Sequence, residues 1–179
     1  MPQEPQQQSV SYSREQLVDA GFGRLLPQGS APLPIDPMLM VDRITLMSNT
    51  GGAYDKGVVE AEMDIRPDLW FFDCHFVNDP VMPGCLGLDG MWQLAGFFLT
   101  WTGRLGRGRA LGADSIKFSG EVTPENKLIR YLLSIKRTSA RGAASMVIAD
   151  GSLEVDGKNI YTALGLRVGI FDRSAEAAG

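Results

Sequence analysis

The sequence is poor in histidine and cysteine and has no excess of basic residues. It contains one histidine and two cysteines in 179 residues, and its net charge is -4 at pH 7. Two cysteines are too few for a disulfide framework, although a single bridge between Cys74 and Cys85 stays open, and they suit a reducing compartment. We therefore expect a cytoplasmic protein. The acidic balance argues against a nucleic-acid-binding protein, because such proteins usually present a basic surface to phosphates.

Several familiar sequence signatures are also missing. There is no P-loop, no dinucleotide-binding glycine pattern and no internal repeat. The neighbours Cys74 and His75, with one further cysteine, lack the ligand spacing of a zinc site. We expect neither a metal nor another cofactor.

The chain is predicted to form one domain, because a sequence of this length that is 44% hydrophobic can bury one sizeable core. Its first residues, MPQEPQQQSV, lack the basic and apolar regions of a signal peptide. We predict a disordered lead-in over residues 1–11, the domain over residues 12–172 and a flexible tail over residues 173–179.

Local patterns predict a short helix, two strands, a long helix and then four strands. Ser13 and Gln16 form a capping-box pattern at the start of the short helix, and Gly21 is a natural end for it. The clearest hairpin turn is Asp156 followed by Gly157. The strands are predicted over residues 38–48, 56–65, 110–122, 127–139, 143–155 and 159–171.

The long helix is predicted over the apolar residues 85–101. This run approaches membrane-spanning length, but it contains Asp89, Gln93 and three glycines, and we expect no membrane insertion. Its apolar residues occupy every face, which is typical of a helix surrounded by protein. An antiparallel sheet curled around this helix would bury it.

The start of the long helix is the first candidate site. Pro83 and Gly84 form a turn that can begin the helix and leave its first amides free to hold an oxyanion. Gly84 and Gly87 would also let a ligand approach the backbone closely. Alternatively, both glycines only permit tight packing of the helix on the sheet.

A carboxylate and the only imidazole lie near this helix start in the sequence. Apolar surroundings would favour Asp89 as a neutral acid that donates a proton, although it could instead pair with Arg43 or cap a neighbouring loop. His75 alone could be a packed or surface residue. Together with a helix N-terminus, the two groups form the parts of a general acid–base site beside a carbonyl.

The cysteines offer a rival chemistry, a thiolate nucleophile with His75 as its base. In an extended chain Cys74 and His75 point to opposite faces, and Cys85 precedes an apolar helix that disfavours a thiolate. Both cysteines are therefore predicted to be small apolar packing residues.

The stretch LWFFDCHFVNDPVMPGCLGLDGMWQ resembles the signature of the bifunctional 3-hydroxydecanoyl-acyl-carrier-protein dehydratase/isomerase family of bacterial unsaturated fatty acid synthesis. The resemblance extends from about Tyr12 to Phe171 and includes LMVDRI, YDKGVVEAEMDI, RALGADSIKFSGEV and ADGSLEVDGKNIYTA. It implies an α+β hot-dog fold, with an antiparallel sheet wrapped around the central helix, and a homodimer with its active sites at the subunit interface.

The resemblance also implies residue roles. His75 would be the catalytic base and Asp89 the acid, while the amide of Gly84 and the backbone of Val81 would bind the substrate. Related dehydratases that do not isomerise have glutamate in place of this aspartate, so the aspartate favours the bifunctional branch. Two residues depart from the usual pattern. They are Asn78, where glycine is common, and Gly90, where alanine is common and glycine costs a helix roughly 1 kcal/mol.

The implied partner is an acyl carrier protein, which is acidic. Because this chain is acidic too, docking requires a local basic patch. The preferred candidates are Lys136, Arg137 and Arg141. The alternative candidates lie after the long helix, at Arg104, Arg107 and Arg109.

Overall fold

The computed structural model describes residues 9–172, which form two α-helices and eight strands. The helices are α1 (Arg14–Gly21) and α2 (Gly84–Trp101), and a 3-10 turn covers Trp70–Asp73. The strands are β1 (Ser9–Tyr12), β2 (Arg43–Ser48), β3 (Val58–Asp64), β4 (Arg107–Gly112), β5 (Ser115–Phe118), β6 (Leu128–Arg141), β7 (Ala144–Val155) and β8 (Lys158–Phe171).

The N-terminal part of the fold corrects one prediction. Residues 9–11 belong to β1, which pairs with β2, and so they are not part of a disordered lead-in. The rest of that predicted lead-in, residues 1–8, and the predicted tail over residues 173–179 lie outside the described residues.

All strand pairs in the sheet are antiparallel, as predicted, and the strand order is β1-β2-β3-β6-β7-β8-β4. Strand β5 also pairs with β8. The segment predicted as one strand over residues 110–122 is therefore divided. The division follows Gly112, whose positive φ of 136° bends the chain away from a regular strand. The two short strands lie one after the other along the same edge of β8.

Helix α2 lies within the curve of the sheet and contacts β3, β4, β6, β7 and β8. A Cβ atom at Gly87 would lie 2.5 Å from the Tyr161 ring, and one at Gly90 would lie 2.6 Å from the Tyr131 hydroxyl oxygen. The helix can pack this closely because both residues lack a side chain. The glycine at position 90, expected to be unfavourable for the helix, is thus required by the sheet. This arrangement is the α+β hot-dog fold.

Several local predictions are confirmed. Ser13 and Gln16 make both hydrogen bonds of a capping box, and α1 ends at Gly21. Asp156 and Gly157 have φ angles of 48° and 83° and join β7 to β8. Asn78 has a φ of 63°, a left-handed conformation that asparagine tolerates better than most residues. Within residues 9–172, neither helix has the length and apolar character needed to cross a membrane.

Candidate active site

His75 lies in a loop that its own hydrogen bonds close. Its backbone N–H donates to the carbonyl oxygen of Phe71, within the 3-10 turn, over 2.9 Å. Its carbonyl oxygen accepts the N–H of Val81 over 2.7 Å, and its ring Nδ1 lies 2.8 Å from the Val81 carbonyl oxygen. The half-buried imidazole is therefore held from both sides of the loop.

The bond to Val81 determines which ring nitrogen can act as a base. A carbonyl oxygen only accepts hydrogen bonds, so Nδ1 must carry the hydrogen, and Nε2 keeps a free lone pair. Both backbone groups of Val81 are used in holding His75. Substrate binding by the Val81 backbone stays a prediction, and the structure adds that the same backbone groups hold the His75 ring.

The first turn of α2 begins at Gly84, three residues after Val81. Leu86 N–H bonds to the carbonyl oxygen of Pro83, but the N–H groups of Gly84 and Cys85 have no acceptor among the described residues. The Phe118 ring lies beside Gly84, 3.1 Å from where a Cβ atom would be. Unpaired amides at a helix N-terminus attract negative charge. The predicted oxyanion donor, the Gly84 amide, is thus free to act.

Asp89 is partly buried on α2 and bonds to a neighbouring side chain. Its Oδ2 accepts a hydrogen bond of 2.7 Å from Nε2 of Gln93. The alternative pairing of Asp89 with Arg43 is wrong, because Arg43 forms ion pairs with Glu62 at 2.7 Å and Asp64 at 2.8 Å.

The face of α2 that holds Asp89 lines a cavity, since residues three and four apart share a helix face. Residues 31–34 and 108–110 form the facing wall, together with Val168. The lining from α2 consists of Asp89, Trp92, Gln93, Gly96, Phe97 and Thr100. The lining of this groove is mostly apolar and contains one carboxyl group, from Asp89, and one guanidinium group, from Arg109.

Within one chain, His75 and Asp89 have separate partners. Among the described residues, no hydrogen bond or ion pair joins them, and His75 does not line the cavity that contains Asp89. His75 is therefore tied to Val81 in the segment that precedes the helix, whereas Asp89 faces the groove described above.

The cysteines differ from their predicted role. Both are free, and both are exposed rather than packed in apolar surroundings, so the structure contains no bridge between them. The Cys74 thiol makes weak contacts of 3.7 Å with the carbonyl oxygens of Trp70 and Phe71. Neither thiol makes a hydrogen bond to His75 among the described residues, and this leaves a thiolate–imidazole pair without structural support.

The predicted docking residues all lie exposed near the far end of β6. Lys136 already has partners within the chain. Its Nζ lies 4.0 Å from the Asp150 carboxylate and 5.4 Å from the centre of the Tyr54 ring. Arg137 and Arg141 have no ion-pair partner in the described part of the chain. The alternative candidates, Arg104, Arg107 and Arg109, are also exposed. Arg109 differs from Arg104 in position, because it lines the cavity that contains Asp89.

Gln93 is a site residue whose role the sequence did not reveal. It is 8% exposed and contacts Asp89, which lies four residues earlier on the same helix face. A polar pair at this spacing inside an apolar helix is the signal that could have identified it. Within residues 9–172, no group of three or more His, Cys, Asp or Glu side chains is placed to hold a metal ion.

Comparisons with known proteins agree with this architecture. The chain is similar to the dehydratase heterocomplex ApeI:P from Xenorhabdus doucetiae, with 13% identity, a TM-score of 0.58, and 80% of this chain and 90% of that chain covered. It is also similar to a proposed thioesterase from Shewanella oneidensis, with 15% identity, a TM-score of 0.51, and 88% and 96% covered. At these identities the likeness concerns the fold. Residues 33–164 match the family model of the FabA-like domain, so the chain belongs to the FabA-like domain family.

Proposed function

We propose that this protein dehydrates a 3-hydroxyacyl thioester such as 3-hydroxydecanoyl-acyl carrier protein to the trans-2-enoyl thioester and isomerises it to the cis-3-enoyl thioester. The observations that carry the proposal are the hydrogen bond between His75 and Val81, which leaves Nε2 free as a base, and the unpaired amide of Gly84, three residues after Val81. A base beside an oxyanion donor is the arrangement that proton removal next to a thioester carbonyl requires.

The dehydration follows from three groups. The thioester carbonyl oxygen binds the Gly84 N–H, and Nε2 of His75 takes a proton from C2, so that charge builds on the oxygen as an enolate. The enolate electrons then form the C2–C3 double bond while the C3–O bond breaks. Asp89, as a neutral acid, gives its proton to the departing hydroxyl group, which leaves as water.

Isomerisation uses the same groups in a second proton transfer. After dehydration, the proton on His75 passes back to the Asp89 carboxylate through the released water, so that the imidazole is neutral again. His75 then takes a proton from C4, the double bond moves to C3–C4 through a dienolate, and the protonated His75 gives the proton to C2. The thioester supplies the acidity at C2 and C4 that both steps need, and so the proposed mechanism uses no cofactor.

A homodimer would complete the site. The cavity that contains Asp89 has no imidazole in its lining, and this supports a base supplied by a second chain. The edge formed by β4 and β5 pairs only with β8 within the described residues, and four large apolar side chains near it are 41–50% exposed. They are Leu111, Ile116, Phe118 and Leu164. An open edge with exposed apolar side chains favours pairing with a second copy.

The carrier of the substrate is proposed to be an acyl carrier protein in the cytoplasm. An acidic carrier needs a basic surface on a chain whose net charge is -4. Arg137 and Arg141, with their charges unpaired in the described part of the chain, support docking near the end of β6 better than Lys136 does.

Product analysis tests the proposed function. The purified protein is incubated with the 3-hydroxydecanoyl thioester, and the products are separated by chromatography and mass spectrometry with the double-bond position assigned. We expect trans-2 and cis-3 products. A trans-2 product alone would make the protein a dehydratase without isomerase activity, free fatty acid would make it a thioesterase, and an unchanged substrate would indicate a non-catalytic acyl-binding domain.

A further inference from the structure

A second cavity, of about 650 Å³, lies between the segment after α1 and the beginning of β4. Residues 29, 30, 32 and 106–109 line it. The charged residues in this lining are Arg107 and Arg109, and none of the described residues that line it is acidic. Two guanidinium groups thus meet at one cavity in a chain whose net charge is -4, and the local positive charge would attract an anion.

The wall of this cavity is held in place by hydrogen bonds. Ser30 forms an isolated antiparallel bridge with the loop before β4, and the N–H of Gly106 donates to the carbonyl oxygen of Gly29 over 2.8 Å. Arg109 is held as well, since its Nη1 donates to the carbonyl oxygen of Gly108 over 2.7 Å. A guanidinium group has five N–H donors, so this bond leaves others for a ligand. A ligand would therefore meet a wall that is already formed.

Ser30 adds a hydroxyl donor to the two guanidinium groups. Its Oγ is buried and has no hydrogen-bond partner within the described part of the chain. Most buried polar side chains are paired, so an unpaired hydroxyl beside a cavity is suited to bind a ligand. Guanidinium groups bind phosphate oxygens through short, often paired, charge-assisted hydrogen bonds. We infer that Ser30, Arg107 and Arg109 form a binding site for a phosphate group.

The position of the cavity indicates where the phosphate comes from. Pro32, Gly108 and Arg109 line both this cavity and the groove that contains Asp89, so the two adjoin. This inference rests on the proposed function, because a carrier protein holds its acyl group on a phosphopantetheine arm, which has a phosphate at the end away from the thioester. The phosphate of this arm would bind in the cavity while the acyl group enters the groove. A separate phosphate-bearing molecule would use the same donors, and the test distinguishes the two.

The register of the sheet connects the cavity with the proposed docking surface. Arg107 on β4 and Arg141 on β6 lie in the same row, with one residue of β7 and one of β8 between them. Neighbouring strands are about 4.8 Å apart, so the two backbones are about 14 Å apart. A carrier protein docked near Arg141 would therefore lie beside this cavity.

The first measurement compares the binding of phosphopantetheine and of pantetheine, which differ only by the phosphate group, in a calorimeter. We expect the wild-type protein to bind the phosphorylated form about 10-fold more tightly, because hydrogen bonds to a charged group contribute about this factor. Ser30→Ala should reduce this preference, and Arg107→Gln combined with Arg109→Gln should remove it. Arg104→Gln is the matched control and should keep the preference, because Arg104 is exposed and close in sequence but does not line the cavity. Folding of each variant is checked by circular dichroism.

Turnover gives an independent measurement with the 3-hydroxydecanoyl thioesters of the same two arms. The double arginine variant should raise KM for the phosphorylated thioester about 10-fold relative to KM for the pantetheine thioester. The ratio of the two KM values separates the effect on the phosphate from any effect that Arg109 has on the groove. Inorganic phosphate is also titrated into the wild-type protein and the double variant and followed by phosphorus NMR, which tests for a separate source of the phosphate.

The outcomes separate the phosphate site from the proposed function. Equal binding of the two arms, together with binding of inorganic phosphate that the double variant loses, would support the site and assign it to a separate phosphate-bearing molecule. Equal binding of the arms without binding of inorganic phosphate would overturn the inference, and so would a preference that the double variant keeps. If the preference is found but neither thioester is turned over, the proposed function fails and the phosphate site stands.

Discussion

The ring Nδ1 of His75 and the carbonyl oxygen of Val81 lie 2.8 Å apart, and the backbone N–H of Val81 returns a hydrogen bond to the His75 carbonyl oxygen. This reciprocal pair closes the loop that leads into α2. It sets the position and the tautomer of the only histidine, and the Gly84 amide follows three residues after Val81. The proposed base and the proposed oxyanion donor are therefore parts of one short, internally bonded segment.

We expect His75→Ala and Asp89→Asn each to abolish dehydration and isomerisation. Each proton-transfer group contributes about 10²–10⁴-fold to the rate. The measurement is turnover of the 3-hydroxydecanoyl thioester by protein whose folding is checked by circular dichroism. Cys74→Ser and Cys85→Ser are the controls and should stay active, because neither exposed thiol makes a hydrogen bond to His75 among the described residues. Wild-type turnover in either catalytic variant would contradict its assigned role.

Mixed dimers test whether each site takes His75 from one chain and Asp89 from the other. His75→Ala and Asp89→Asn proteins are unfolded together and refolded in equal amounts, so that about half of the dimers are mixed. A mixed dimer would have one complete site and one site with neither group, and about a quarter of wild-type activity should return. Verified mixed dimers without activity would exclude the shared site.

Charge reversal tests the docking surface. We expect Arg137→Glu with Arg141→Glu to raise KM for carrier-bound substrate and to leave KM for a short synthetic thioester unchanged, because only the former needs the acidic carrier. Reversal of Arg104 in the alternative cluster is the matched control and should have little effect. A larger effect at Arg104, or equal effects on both substrates, would count against docking near the end of β6.

Gly90→Ala should destabilise the protein even though alanine favours helices. The new Cβ would lie 2.6 Å from the Tyr131 hydroxyl oxygen, inside the packed interface between α2 and β6. Overpacking of this kind typically costs about 1–3 kcal/mol. Gly96→Ala, on the same helix, is the control, because its nearest contact would be 3.2 Å from a Val168 methyl group. Thermal melts should show a clearly lower Tm for Gly90→Ala than for Gly96→Ala.

The ion pair between Arg43 and Asp64 should make stability depend on acid pH. The hydrogen bond from Arg43 lowers the pKa of Asp64 in the folded state. The contribution is therefore present above the unfolded-state pKa of about 3.9 and is lost as the pH falls through the folded-state pKa. We expect the Tm difference between wild type and Asp64→Asn to be largest near neutral pH and to shrink below about pH 4. A difference that does not change with pH would contradict this.

The sequence was most informative where short-range chemistry decides the structure. The Ser13–Gln16 capping box and the Asp156–Gly157 turn are determined by a few neighbouring residues, and both are confirmed. The all-round apolar character of residues 85–101 correctly predicted a helix enclosed by the sheet. In each case the physical cause lies within one turn or one element of the chain.

The features that the sequence did not predict depend on contacts between distant residues. Strand β1 lies in a polar segment whose composition predicted disorder. It forms because it pairs with the edge of β2. The favourable role of Gly90 depends on Tyr131, which lies on another element. Cys85 is exposed because the sheet does not cover its side of the helix start. None of these relations is visible in a local pattern.

Helix α2 has a further consequence in the proposed dimer. Gly84 and Asp89 lie five residues apart on it, about 7.5 Å along a rigid axis. If each site takes the Gly84 amide from one chain and the Asp89 carboxyl group from the other, every α2 helix belongs to both sites. A shift of the helix that tightens one site then alters the geometry of its neighbour, and the resulting energetic coupling must be reciprocal. The mixed dimers, with one complete and one empty site, would show how a site works when its neighbour cannot respond.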